Sequence, residues 1–235
     1  MRISRKKVSR TVDDLAFVLE HDMDPKTREI YLSGTEDYIA ADGSTSEPGV
    51  EYSMAKRFIK RLNLLARMSS EPILVHMKTC GGDWHEGMAI HNAIEHCPAP
   101  VVILSYTHAR SMSSLIFCAA DRRVMMPDSL FMFHGGTVEF SGTAKQFQTE
   151  AEQDRLRRDR MLEIYSVRLE GKRPLCLPET SFRHWLIEQM DRSEEAYFSA
   201  ERAVELGFAD GIMGREFGWS NLLIGVRKGD SNGSS

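Results

Sequence analysis

Three polar residues stand at the ends of separate apolar segments. Ser111 opens one, His134 closes Leu130-Phe-Met-Phe133 just ahead of Gly135-Gly136, and Asp191 ends a candidate helix. A serine hydroxyl attacks a carbonyl only when a base takes its proton. The base in turn needs a third group to hold its tautomer and to stabilise the imidazolium. Donors must also meet the oxyanion that forms. The backbone N–H of Gly82, in Gly81-Gly82, is one candidate donor. That of Met112, on the first turn of a helix where N–H groups have no intrahelical partner, is another. Ser111, His134, Asp191, Gly82 and Met112 would together make a complete acyl-transfer site. Taken singly they have plainer roles: a helix cap, a structural histidine, a solvated acid and a tight turn.

Other chemistries lack their motifs. No G-x-x-x-x-G-K-[ST] is present, so the chain does not supply its own ATP hydrolysis. Neither G-x-G-x-x-G nor G-x-S-x-G occurs. His85-Glu86 begins like a zincin helix, but the fifth residue is Ala89, and His85, His91 and His96 do not share one helical face. The expectation is no metal and no cofactor.

The elements that must position these residues alternate. The spacing predicts strands at 29–33, 72–77, 101–105, 123–126 and 130–133. It predicts helices at 51–67, where Met54, Phe58, Leu62 and Leu65 repeat at helical spacing, and at 84–96 and 111–120. A charge-laced helix follows from about Thr143 to Leu169. A helix capped by Thr180 or Ser181 runs to Met190, and a last one spans Ser199 to Leu206 with Ser199 as cap and Gly207 as stop. Strand and helix in alternation imply an α/β fold with a mostly parallel sheet. In such folds chemistry collects at the carboxyl ends of strands, here Gly81-Gly82 and Ser111.

Composition narrows the class. The chain has 235 residues and a formal charge of −4, with 42% hydrophobic and 27% charged residues. That suits one globular domain without the basic surplus of a general nucleic-acid binder. No apolar run approaches the ~18 residues of a membrane span. The basic N-terminus has no apolar stretch behind it to make a secretory signal. Cys80, Cys97, Cys118 and Cys176 form no C-x-x-C pair. Reduced thiols in a cytoplasmic compartment are expected.

From about Glu29 to Met213 the chain resembles the ClpP family, the proteolytic subunits of Clp proteases. Thr79-Cys-Gly-Gly-Asp-Trp-His-Glu-Gly-Met-Ala-Ile90 is similar to the family's Ser-Pro-Gly-Gly segment with its Gly-Met-x-Ile. Ala109-Arg-Ser-Met112 resembles Ala-Ala-Ser-Met, and Pro127-Asp-Ser-Leu-Phe-Met-Phe-His134 resembles Pro-Asn-Ser-x-x-Met-Ile-His. Asp191 and then Tyr197-Phe-Ser-Ala-Glu-Arg-Ala-Val-Glu-Leu-Gly-Phe-Ala-Asp210 resemble the family's Asp followed by Phe-x-Ser-Ala-x-x-Ala-x-x-Tyr-Gly-x-x-Asp. The resemblance implies a ClpP/crotonase-like βαβ spiral core with a protruding helical handle. It places the nucleophile on Ser111, the base on His134, the acid on Asp191 and the oxyanion donors on Gly82 and Met112, with Asp210 a structural acid.

The implied layout is an N-terminal arm at 1–27, a ClpP-like serine protease domain at 28–227 and a disordered tail at 228–235. The implied function is serine-type endopeptidase action on polypeptides, in a homo-oligomer of heptameric, stacked rings. Any ATPase (an AAA+ unfoldase) would be a separate chain. Some residues depart from the family pattern. Arg110 replaces an alanine beside Ser111, where it would stabilise an oxyanion, bind an acidic partner or crowd the cleft. Leu74 and His76 stand where the family's tyrosines receive ATPase loops, and Glu170 to Phe182 reads as an insertion. Three alternatives stay open: a non-catalytic structural ring subunit, a phage-type head-maturation protease and a crotonase-like acyl-CoA enzyme.

Overall fold

A computed structural model describes residues 9–34, 47–172 and 181–229. The chain runs α1 (Val12–His21), β1 (Met23–Asp24), β2 (Glu29–Ser33), α2 (Tyr52–Met68), β3 (Ile73–Lys78), α3 (Trp84–Glu95), β4 (Val101–Ser105) and β5 (His108–Arg110). It continues α4 (Met112–Cys118), β6 (Arg122–Met125), β7 (Leu130–His134), α5 (Ala144–Lys172), α6 (Phe182–Ser193), β8 (Glu195–Ser199), α7 (Ala200–Leu206) and β9 (Gly211–Ile212). The main sheet has the order β1-β2-β3-β4-β6-β9, parallel except for the β1–β2 pair. A smaller sheet, β5-β7-β8, pairs β5 with β7 parallel and β7 with β8 antiparallel. This is the mixed α/β architecture expected, with helices packed on a largely parallel sheet.

Strand alternation sorts the main sheet's side chains between two apolar layers. Ile73, Val75 and Met77 of β3, with Val101 and Ile103 of β4, face the core shared with α2, α3 and α4. Leu74, Val102, Leu104 and Val124 face the other way, beneath Met213, Leu222 and Val226 of the C-terminal segment. Both faces are covered, so the strands read as continuous apolar runs. Helix α2 buries Met54, Phe58, Leu62 and Leu65, the stripe its spacing predicts, together with Ala55. Arg28 closes its far end, donating to the carbonyls of Leu65 at 2.8 Å and Ser69 at 2.9 Å.

The handle is α5, 29 residues long and thus about 44 Å. Its second half buries Met161, Leu162, Ile164, Tyr165 and Leu169, while Phe147 and Leu156 of the first half are exposed. Charged pairs one turn apart, such as Glu152–Arg155 and Arg160–Glu163, line the exposed surface. The handle helix therefore protrudes because half of it has an apolar stripe to bury and half does not.

Three details differ from the expectations. The arm does not stand apart, since Met23 and Asp24 pair with Ile30 and Glu29. Lys228 and Gly229 are tied to Asp121, through Nζ at 3.3 Å and the backbone N at 2.8 Å, so the chain is anchored at least that far. Strands β1, β5, β8 and β9 add to those that the sequence pattern predicts. Most of the expected insertion, at 173–180, lies outside the described residues, as do residues 1–8, Cys176 and the rest of the tail. Cys97 and Cys118 are buried free thiols, and burial pushes both up from the ordinary thiol range.

Candidate active site

Ser111 sits between β5 and α4 with φ 51° and ψ −130°. A non-glycine residue rarely adopts such a backbone, and holding it costs about 1–3 kcal/mol. Its hydroxyl makes no capping bond to the helix. The sharp strand-to-helix turn instead lifts Oγ out of the sheet, where it lies 2.8 Å from His134 Nε2. A strained turn of this kind forms here without the G-x-S-x-G pattern.

The neighbouring chain is shaped to receive that turn. Gly81 has φ 108°, and a Cβ there would stand 2.7 Å from Ser111 Cβ. Gly82 has φ 135°, and its Cβ would lie 2.3 Å from the backbone N of Val50. No side chain fits at either position. The next two serines pin the helix from below. Ser113 Oγ donates to Thr79 O at 2.9 Å, joining α4 to the end of β3. Ser114 Oγ bonds to Ser111 O at 2.6 Å and to the Tyr165 hydroxyl of α5 at 2.6 Å. Burial keeps the Tyr165 phenol protonated and available for that bond.

Ser111 and His134 open into a cavity of about 440 Å³. Gly82 and Met112 line it beside them, with Trp84, Leu115, Val138 and Met161 as apolar walls. Arg157 and Arg158 of the handle also line it. Met112 is the first residue of α4 and Gly82 lies in the turn before α3. Both residues thus border one space with the serine–histidine pair. Gly135 and Gly136 form part of the wall, and a Cβ at either would meet nothing.

Among the described residues neither Asp191 nor Glu195 is hydrogen-bonded or ion-paired to His134, whose side-chain bond is to Ser111. Asp191 is exposed on the last turns of α6. The chain leaves that helix at Glu194, φ 37°, and turns into β8. There Glu195 pairs directly across the antiparallel ladder from His134. Side chains so placed share a face, with Cβ atoms about 4.5–5.5 Å apart. A period-two pattern could have revealed this. Ala196 and Phe198 are apolar and face the core, so Glu195, Tyr197 and Ser199 must share the other face.

Arg110 also differs from expectation. It is not among the residues lining the cavity. Its Nε donates to Cys80 O at 3.2 Å, so the side chain runs back toward the segment before Gly81-Gly82. Tyr197 Oη donates to Glu195 Oε2 at 3.0 Å. Burial and this carboxylate push the Tyr197 phenol up, and Arg110 pulls it back. Away from the site, Asp210 grips Arg123 through Oδ1 at 2.8 Å and Oδ2 at 3.1 Å.

Comparison with known proteins agrees with this architecture. An ATP-dependent Clp protease proteolytic subunit of Deinococcus radiodurans is 28% identical over 167 residues, 70% of this chain and 76% of that protein. A proteolytic subunit 2 of Pseudomonas aeruginosa is 25% identical, over 80% of this chain and 82% of its own. Among solved structures, a point mutant of ClpP1 from Listeria monocytogenes superposes with a TM-score of 0.61 at 19% identity, covering 80% of this chain and 92% of that one. The family model described as Clp protease matches residues 45–216, which hold every element from α2 to β9. The chain belongs to the Clp protease family.

Proposed function

We propose that the chain is a serine endopeptidase subunit. Ser111 is the nucleophile, His134 the base and Asp191 the third member. In this reading His134 Nε2 takes the Ser111 proton as Oγ bonds to the scissile carbonyl carbon. The oxyanion that forms rests on the N–H groups of Gly82 and Met112. His134 then returns the proton to the leaving amine, and water, activated by the same imidazole, hydrolyses the acyl-enzyme. For Nε2 to accept, Nδ1 must carry the ring hydrogen, which needs an acceptor on its far side. The Asp191 carboxylate is the acid proposed for that place.

The observation that carries this reading is the 2.8 Å approach of Ser111 Oγ to His134 Nε2 on a strained turn facing a cavity. A structural subunit would have no use for the strain, and an acyl-CoA enzyme of the crotonase kind would not need the serine–histidine pair. The substrates are polypeptides, and assembly in stacked heptameric rings is part of the proposal. Phe147 and Leu156, exposed on the projecting half of α5, supply apolar surface for such contacts.

Docking of a Clp-type ATPase is not favoured at the positions carried over from the family. Leu74 is fully buried in the layer that includes Leu222. His76 is bonded to Tyr106 Oη at 2.9 Å and Glu29 Oε2 at 3.1 Å, with Tyr31 stacked on it at 4.6 Å. The chain fills these places itself, so peptide hydrolysis is expected without a partner there. A fluorophosphonate probe should label the wild type and not Ser111→Ala, with native mass spectrometry reporting the ring. An assembled wild type that never reacts would refute the proposal.

A further inference from the structure

The backbone on either side of Ser111 is held by the two serines that follow Met112. The peptide unit between Arg110 and Ser111 is held at both ends. Its N–H donates to Met132 O at 3.1 Å, and its carbonyl oxygen lies 2.7 Å from Ser113 Oγ. The next unit, between Ser111 and Met112, is held at one end only. Its carbonyl oxygen accepts from Ser114 Oγ at 2.6 Å and from Ser114 N at 3.1 Å. Among the described residues no hydrogen bond starts from its N–H, which is that of Met112.

A peptide unit is planar, and none in the described chain is cis. The C=O and N–H of a trans unit point in opposite directions. Whatever fixes the Ser111 carbonyl therefore also aims the Met112 N–H. Gly81 keeps space beside that nitrogen, since a Cβ there would stand 3.2 Å from it.

Ser114 is itself steered. Its hydroxyl has one hydrogen, which goes to Ser111 O. The Tyr165 hydroxyl, 2.6 Å from Ser114 Oγ, must then be the donor of that pair. The phenol ring belongs to α5 and packs among Phe131, Phe133 and Phe208, with ring centroids 6.2, 5.3 and 5.9 Å away. Both residues are fully buried. Two hydroxyls in series thus lead from a clamped ring of the handle to the peptide unit that follows the candidate nucleophile, and each bond polarises the next.

We propose that Ser114 and Tyr165 are positioning residues that aim the Met112 N–H at the oxyanion by gripping the other end of its peptide unit. The proposal rests on the serine-peptidase reading. Without the grip, Ser111 O keeps only the longer bond from Ser114 N. The unit can then rock about the single bonds that flank it, and the strained backbone of Ser111 favours that release. A rocked N–H meets the oxyanion at a poorer angle. The loss falls on the transition state and leaves substrate binding alone. Two buried hydroxyls could also pair for stability only, and experiment separates the two roles.

Ser114→Ala, Tyr165→Phe and the double variant are compared with the wild type. Native mass and melting temperature are measured, with kcat and KM on a fluorogenic peptide and Ki for a peptide boronate, which mimics the tetrahedral intermediate. Ser114→Ala should lower kcat about tenfold with KM unchanged and raise the boronate Ki about as much, a part of the roughly 10²- to 10³-fold lost when an oxyanion donor is removed outright. It also strands the buried Tyr165 hydroxyl, so its melting temperature should fall. Tyr165→Phe spares the bond to Ser111 O and should cost kcat about threefold. The double variant leaves neither hydroxyl unpaired, so its melting temperature should recover, while kcat stays as low as in Ser114→Ala. The inference is overturned if assembled Ser114→Ala turns over at the wild-type rate. It is equally overturned if kcat recovers together with the melting temperature in the double variant, since a purely structural role would do that. If Ser114→Ala does not assemble, the double variant decides by its kcat alone. A wild type that neither reacts with a fluorophosphonate nor hydrolyses peptide removes the peptidase reading and this inference with it.

Discussion

Replacing Asp191 by Asn keeps the side chain's size and removes the charge proposed to steady His134. The size of the effect follows from the serine–histidine pair. At 2.8 Å from Ser111 Oγ, Nε2 can take the hydroxyl proton only while Nδ1 carries the ring hydrogen. An Asn amide can donate to Nδ1, which favours the tautomer whose Nε2 already carries a hydrogen. Tautomer loss of this kind has cost as much as about 10⁴-fold in serine proteases. Asp191→Asn should therefore lower kcat/KM by about 10²- to 10⁴-fold, a loss of about 3–5 kcal/mol of transition-state stabilisation. Glu195→Gln alters an exposed residue whose carboxylate accepts from Tyr197 Oη at 3.0 Å, and should stay within about twofold. Peptide hydrolysis on both variants, with ring mass checked, decides between them. The reasoning fails if Asp191→Asn keeps most of its activity, or if Glu195→Gln shows the large loss instead.

Two further outcomes concern stability. Asp210→Asn leaves the buried Arg123 guanidinium without its anionic partner, and urea unfolding should show a loss of about 3–5 kcal/mol. Burial holds His91 below its ordinary 6.5, against the opposing pull of Glu95. As pH falls through 6.5 the unfolded chain binds a proton that the folded chain refuses. His91 should therefore make stability fall by about 1 kcal/mol between pH 7.5 and 5.5, and His91→Gln should flatten that slope in urea titrations.

The parts of the fold legible in the sequence are those whose signal is local. The α2 stripe, the strands at 72–77 and 101–105, and the Ser199 cap with its Gly207 stop each lie within one helix or one strand. β5 is three residues long and β9 is two, too short for any periodicity, and they exist because neighbouring strands offer them partners. The boundary between α6 and β8 carries little local signal. Residues 182–193 and 195–199 adjoin with a single linking residue, Glu194, at positive φ. A reading that extends no strand past the helix misses β8, which pairs with β7 and sets Glu195 opposite His134 in the ladder.

Arg110 shows the same limit from the other side. Its residue type and its place beside Ser111 are visible in the sequence, and each suggests an effect on the oxyanion or the cleft. Strand parity decides otherwise. Ala109 and Phe131, paired in the ladder, are fully buried in the core, so their neighbours Arg110 and Met132 turn to the opposite face. That face leads to Tyr197 and Glu195. Ser111 escapes the alternation because the strand ends at Arg110 and the positive φ turns the next side chain toward His134. The strained backbone of one residue thus separates two neighbouring side chains into different parts of the site. The hydroxyl faces the cavity beside His134, and the guanidinium reaches back to the Cys80 carbonyl.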